Sequence, residues 1–213
     1  MYVLSKGVLI AVEGIDGSGK STLCANLVQA LQSHMPVIQT KEPGGTQLGA
    51  HLRAIVQQSI ARSPQTEFLL FAADRAQHFS ELILPSLAQN NMVISDRMAD
   101  SSLVYQGYGR GLDRTMISQI NAWAMQNRTP DITIYVRIPL ETALERISLR
   151  NQALTAFEKE STAFTQRLIH GFDTIYANRT DVITLDGTLS PEMVTQNAFE
   201  RVMHTLTHQK LLS

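Results

Sequence analysis

The chain is short of several things, and each shortage excludes something. Among 213 residues there is one cysteine, Cys24. No intramolecular disulfide can form, which suits a reducing compartment. Its place in a helical stretch reads as a packed thiol rather than a catalytic one. The net charge is −1 and only 17% of residues are charged. Nothing there demands a nucleic acid or a membrane surface, so neither is expected as a partner, although a neutral total leaves room for a basic pocket. The apolar run near the N-terminus, Val8–Val12, is five residues long. It is too short for a membrane span and lacks the pattern of a signal peptide, so a cytoplasmic setting is expected. The six histidines show no metal-ligand spacing and read as surface or helix residues. There is no internal repeat, low-complexity segment or linker. With 44% hydrophobic residues the chain can bury a real core, and one domain over residues 1–213 is expected.

What the chain does have starts at Val8–Val12, an apolar strand run followed by Glu13 and then Gly14-Ile15-Asp16-Gly17-Ser18-Gly19-Lys20-Ser21-Thr22. Gly14 to Ser21 fits the phosphate-loop pattern G-x-x-x-x-G-K-[ST] in full. Glycines let the backbone curl so that several N–H groups face one polyphosphate, and the helix that follows adds its positive end. In such loops the lysine (here Lys20) reaches the terminal phosphates and the hydroxyl (here Ser21) helps hold Mg²⁺. Leu23, Leu27 and Leu31 then recur every four residues, the core stripe of a helix. The loop indicates a nucleoside triphosphate but not what receives the phosphate.

Strand and helix signals alternate from there on. Val37–Thr40, Met92–Ser95, Ile132–Val136 and Val182–Leu185 read as further strands. Helical patterns cover residues 48–56, 67–81, 85–89, 117–124, 140–150, 164–176 and 191–206. Ser190 and Pro191 make a helix start, with Ser at the N-cap and Pro at N1. Alternation of this kind implies an α/β fold: a five-stranded parallel sheet flanked by helices on both faces. In such sheets ligands sit beyond the C-terminal strand ends. The unusual residues cluster there: the phosphate loop after the first strand, Lys41-Glu42-Pro43-Gly44-Gly45-Thr46 after the second, and Asp96-Arg97 after the third.

A second substrate is suggested by residues that grip anions and flat rings. Arg97 can hold a phosphate with two parallel hydrogen bonds, and Asp96 can act through Mg²⁺ or its water. The plainer alternative is an ordinary Asp-Arg turn. Phe71 and Arg75 lie four apart and share a helix face, where a ring can stack on a base and a guanidinium can meet a base carbonyl. From pattern alone Phe71 also fits a core position. Tyr105-Gln106-Gly107 offers a ring and an amide, and by itself reads as packing.

Taken together, Gly14–Ser21, Lys41–Thr46, Leu70-Phe71-Ala72-Ala73-Asp74-Arg75, Asp96-Arg97 with Asp100–Gly107, and Pro130-Asp131-Ile132-Thr133 resemble bacterial thymidylate kinases. The likeness runs from the first strand to the fourth and more loosely to the C-terminus. It implies a phosphate-loop nucleoside monophosphate kinase that moves the γ-phosphoryl of ATP to dTMP, giving dTDP, with Mg²⁺ accompanying ATP. It implies that Phe71 stacks on thymine, Arg75 bonds its carbonyl, and Ser102 and Gln106 meet the base edge. Tyr105 lies under the sugar. Asp16 meets the 3′-hydroxyl or the metal–water network. Arg97 holds the acceptor phosphate, with Arg53 and the Glu42–Pro43 turn lining the pocket. For Arg53 a solvated helix arginine is the competing reading.

The same resemblance implies a mobile lid around residues 146–160 and a homodimer. Some relatives carry a catalytic arginine in the phosphate loop, where this chain has Gly17, so the charge is expected from the lid, with Arg146 and Arg150 as candidates. Arg146 packing against adenine is the alternative. Three departures stand out: Ser148 and Ala156 replace common lid arginines, Arg137 replaces a usual aspartate, and Lys41 replaces an arginine. Two other functions fit the scaffold, a kinase for another nucleotide or deoxynucleoside and a non-catalytic nucleotide-binding relative.

Overall fold

A computed structural model describes residues 2–58, 60–150 and 155–212. Five strands form one parallel sheet: β1 (Val8–Glu13), β2 (Val37–Lys41), β3 (Met92–Asp96), β4 (Ile132–Arg137) and β5 (Val182–Asp186), in spatial order β2-β3-β1-β4-β5. The helices are α1 (Lys20–Gln32), α2 (Gln47–Gln57), α3 (Pro64–His78), α4 (Leu84–Ala88), α5 (Ala99–Ser102), α6 (Arg114–Ala124), α7 (Leu140–Leu149), α8 (Thr162–Tyr176) and α9 (Pro191–His208).

Every residue of the central strand β1 is buried, because helices cover both of its faces. Val8, Ile10 and Val12 pack with Leu23, Leu27 and Leu31 of α1 and with Val194, Ala198 and Val202 of α9. The alternate positions Leu9 and Ala11 pack on the other face with Phe79, Ile83 and Met98. The period of two along the strand thus divides the core into two layers. Cys24 lies in the first layer, fully buried, and burial pushes its thiol pKa well up. It is an inert packed thiol.

The connections from β1 and from β3 leave in opposite directions, the first toward β2 and the second across β1 to β4. The crevice beyond these two strand ends is the switch point where such sheets bind ligands. The residue after β1 opens the phosphate loop, and the residue after β3 is Arg97.

Helix ends follow their sequence signals. Thr46, Ser63, Asp113, Ser161 and Ser190 accept hydrogen bonds from first-turn amides of α2, α3, α6, α8 and α9. Two π-helical stretches carry no signal of this kind. Phe79–Ile83 joins α3 to α4, so the separate helical piece expected at 85–89 instead continues a longer rod. Leu103–Gly109 follows α5 and carries Tyr105 and Gln106. The helical spacings of α2 and α6 hold, but not every apolar residue in them is buried. In α6, Ile117 and Ala124 are buried and Trp123 is 78% exposed. In α2, Leu48 and Ile55 are exposed and Val56 is the buried apolar position. Part of the expected lid, residues 151–154, lies outside the described residues. No helix among the described residues is long and apolar enough to cross a membrane.

Candidate active site

The phosphate loop turns from β1 into α1 through positive φ angles at Gly14, Gly17 and Gly19. A Cβ at position 17 would lie 2.9 Å from the Ala143 carbonyl oxygen, so α7 packs directly on the loop. A side chain there has neither the backbone nor the space. No side chain caps α1, which leaves its first amides free for an anion. Ile15 is buried in the core and Ser18 beneath the loop. Lys20 Nζ donates to the Ile15 carbonyl at 2.7 Å and to Ser18 Oγ at 3.4 Å. Burial, and then the neighbouring Arg97, lower the Lys20 pKa to about 8 against the pull of Asp16, Asp96 and Glu13.

Ser21 Oγ donates to Asp96 Oδ2 at 2.5 Å, so a hydroxyl and a carboxylate meet at the start of α1. Both are hard oxygen donors. No group of three or more His, Cys, Asp or Glu side chains is gathered as a metal site among the described residues. A cation here would therefore share these two donors with nucleotide oxygens and water, a set that small divalent ions accept.

Arg97 is the node of the crevice. Its backbone is left-handed, φ +71, a strained state for a residue with a side chain. Ser95 Oγ donates to its carbonyl at 2.7 Å. The guanidinium donates to Gly14 O, Ser101 Oγ, Asp16 Oδ1 and Tyr105 Oη at 3.0, 3.1, 2.6 and 3.1 Å. Tyr105 in turn donates to Asp16 Oδ2 at 3.0 Å. Burial pushes the Asp16 carboxyl up, but Arg97, Lys20 and these hydrogen bonds outweigh it, and its pKa falls below the ordinary value.

Glu13, which sequence reasoning passed over, sits below this node and is fully buried. It accepts from Met98 N at 2.8 Å, from Ser101 N at 3.3 Å and from Ser101 Oγ at 2.5 Å. Burial, then Asp100, raise its pKa to about 7 despite those bonds and Arg97. A carboxylate closing an apolar strand was the available signal.

Two cavities meet here. The smaller, about 120 Å³, is lined by Asp16, Glu42, Pro43, Arg53, Phe71, Arg75, Arg97, Ser102, Tyr105 and Gln106, which brings together all the residues singled out for the second substrate. Val56, Gln57, Met98, Ser101, Thr155, Ala156 and Phe157 complete it. Phe157 was not foreseen. Its ring lies 6.1 Å from that of Phe71 and 5.4 Å, edge-on, from that of Tyr105. A lone aromatic in a polar stretch was its only mark in the sequence.

Arg75 is 1% exposed. It donates to Glu42 Oε2 at 2.9 Å, Asn121 Oδ1 at 2.7 Å, and Met98 O and Ser102 Oγ at 3.2 Å. His78, a helix residue as expected, closes α3 and is fully buried between Glu42 and Thr40. Burial alone would raise the Glu42 pKa, but Arg75 and His78 bring it below the ordinary value. Asp74 nearby is pushed up to about 6 by burial and then by Glu42. This network supports the turn after β2, where Arg53 Nη1 donates to the Pro43 carbonyl at 2.9 Å. Arg53 is thus engaged at the cavity rather than free in solvent.

The larger cavity, about 870 Å³, is lined by Gly17, Gly19, Lys20, Ser21, Thr22, Lys41, Asp96, Arg146 and Arg150, among others. Gly14, Ile15 and Ser18, also expected at the triphosphate, do not line it; the carbonyls of Gly14 and Ile15 accept from Arg97 and Lys20. Arg150 is ion-paired with Glu158, whereas Arg146, in the same wall, has no ion pair among the described residues. Asp16, Glu42, Arg53, Arg97 and Thr155 border both cavities. Arg137 lies away from them: it donates through Nε and Nη2 to Asp173 of α8 at 2.9 and 3.0 Å, a surface ion pair that accounts for the basic residue there.

A phosphate loop on one side, a pocket with a half-buried ring and a buried guanidinium on the other, and one Asp–Arg pair between them define the phosphate-loop nucleoside monophosphate kinases. The family model described as thymidylate kinase matches residues 12–198. A thymidylate kinase of Trichormus variabilis is 42% identical over 195 residues, covering 88% of this chain and 92% of that protein. One of Prochlorococcus marinus (strain NATL1A) is 45% identical over 179 residues, covering 80% and 84%. One of Nitratidesulfovibrio vulgaris (strain DP4) is 42% identical over 202 residues, covering 89% of each. The chain belongs to the thymidylate kinase family. Its reaction is the ATP-dependent phosphorylation of dTMP to dTDP.

Proposed function

We propose that the larger cavity receives ATP, the smaller one dTMP, and that the γ-phosphoryl crosses where the two meet, beside Asp16 and Arg97. The observation that carries this division is the shared border: five residues line both cavities, among them the Asp16–Arg97 pair. The amides of residues 14–22 and Lys20 hold the polyphosphate. Ser21 and Asp96 would hold Mg²⁺, which would supply charge neutralisation at the phosphates when bound. Phe71 stacks on thymine, with Arg75, Ser102 and Gln106 at its edge and Tyr105 beneath the sugar. Arg97 and Arg53 hold the acceptor phosphate against the Glu42–Pro43 turn.

The acceptor is already ionised, so no strong base is needed. The chain's work is alignment and positive charge near the equatorial oxygens. With Gly17 packed against α7, that charge comes from the lid segment around residues 146–160 of one kinase domain. Arg146 is the better placed, since Arg150 is held by Glu158. Arg146→Ala is expected to lower kcat by a factor on the order of 10² or more, and Arg150→Ala by less. A homodimer is proposed from the family. Leu69 on α3 and Met116 and Trp123 on α6 remain exposed on two helices that pack together, which supports it.

The testing experiment is coupled ADP release with ATP, Mg²⁺ and each of dTMP, dUMP, dCMP, dGMP and AMP. Strong turnover of dTMP, weaker of dUMP and none elsewhere is the expected outcome. Equal turnover of several bases would remove the thymine assignment. ATP binding without turnover would point to a non-catalytic relative.

A further inference from the structure

One buried polar atom at the smaller cavity is left without a partner. Gln106, on the π-helical stretch, is 1% exposed and lines that cavity. Its Nε2 donates to Glu67 Oε1 at 3.0 Å, while its Oε1 is buried and has no hydrogen-bond partner among the described residues. The amide orientation is set by chemistry. An ionised carboxylate only accepts, so the end of the amide that faces Glu67 must be the NH₂. Arg110 keeps Glu67 in that role, donating to both carboxylate oxygens at 3.3 and 3.2 Å and pairing with Glu160 through its other nitrogen at 2.7 Å. With the NH₂ end held at Glu67, the carbonyl oxygen is the acceptor that Gln106 has left to offer a ligand.

We propose that Glu67 is a positioning residue that holds the Gln106 amide with its carbonyl free for the acceptor base, so that this wall accepts the N3–H of a pyrimidine-2,4-dione. The proposal rests on the reading that dTMP occupies this cavity. Thymine and uracil carry a donor at N3 between two carbonyls, whereas cytosine carries an acceptor there. A fixed carbonyl at 106 therefore favours the first two and leaves two acceptors facing each other with the third. The donors that complement a base carbonyl, Arg75 and Ser102, line the same cavity. An amide free to turn would accept either base. Glu67 removes that freedom without touching the ligand.

The test is a double-mutant cycle read by steady-state kinetics, with thermal unfolding as the folding control. Glu67→Gln can face Gln106 with either end of its own amide, so it frees residue 106 to turn. It is expected to raise KM for dTMP and dUMP together by about tenfold, with kcat and KM for ATP within about twofold. Gln106→Met keeps Glu67 paired with Arg110 and should raise KM to a similar degree. In that background Glu67→Gln should add less than about twofold, because the group it positioned is gone. The exchange Glu67→Gln with Gln106→Glu should restore most of the lost affinity, since a carboxylate at 106 can accept from Gln at 67 and from N3–H at once. Glu67→Gln effects that persist undiminished in the Gln106→Met background, or an unchanged KM in Glu67→Gln alone, would overturn the proposal. An unmodified enzyme that fails to turn over dTMP would overturn the functional reading instead, so the two failures are separable.

Discussion

The smaller and the larger cavity sit side by side and rest on different physics. In the smaller cavity nearly every polar group is already spent on another: Arg75 on Glu42, Asn121 and Ser102, and Tyr105 on Asp16. The pocket is preformed, and a base entering it meets a fixed pattern. In the larger cleft the groups that matter are uncommitted or provisionally paired. The start of α1 has no side-chain cap, Lys20 leans on the Ile15 carbonyl, and Ser21 on Asp96. That site is completed by its ligand's charge. Selectivity among bases calls for the first kind of construction, because discrimination comes from groups that cannot adapt. Binding a polyphosphate with its cation calls for the second, because its charge supplies what the protein leaves open.

The sharpest way to break this contrast is Lys20→Ala. Turnover should fall by a factor of about 10³, while dTMP binding measured by calorimetry changes by no more than about threefold. A parallel loss of dTMP affinity would mean that the two sites are one unit.

The floor beneath both sites gives the next largest effect. The Glu13 pKa is raised from 4.5 to about 7, so the folded state binds a proton that the unfolded chain releases between those values. Its contribution to stability is therefore full below pH 4.5 and declines as pH rises toward 7, by about 3 kcal/mol at most. Glu13→Gln mimics the protonated form and should flatten that stretch of the unfolding profile relative to the parent. A slope that survives the substitution would place the titrating group elsewhere, with Asp74 next in line.

On the base side, Phe71→Ala should weaken dTMP by about 1–3 kcal/mol through lost stacking, with ATP affinity unchanged. The smallest effect sharpens the contrast most directly. With the Lys20 pKa near 8 in the free protein, ATP binding at pH 8 should take up about half a proton as the phosphates restore the full charge. Affinity should decline as pH rises through that value. Calorimetry in buffers of different ionisation enthalpy reads the uptake, and none is expected when dTMP binds.

Much of the first half of the molecule could be read directly from its residues. The phosphate loop announces itself because its job requires glycine at positive φ and a lysine at a set spacing, so chemistry leaves a local pattern. The strands were legible because the buried sheet needs apolar runs, and the crevice because unusual residues ended three of them. The π-helical stretch carrying Tyr105 and Gln106 was not, since its turn depends on what packs around it. The exposed Trp123 shows the converse, a correct helical period that ends up on the surface. Arg137 needed Asp173, 36 positions away, to be explained.

The sequence by itself determined the class of fold, the nucleotide loop and the family, because each rests on local spacing or on motifs in a given order. Tertiary structure alone decided the partners: that Arg97 bridges Asp16 and Tyr105, that Glu42 is shared by Arg75 and His78, that Gln106 donates to Glu67, and that Phe157 lines the smaller cavity. Those contacts join residues from separate elements, and their geometry depends on how a twisted sheet brings its strand ends together. No spacing along the chain encodes that distance.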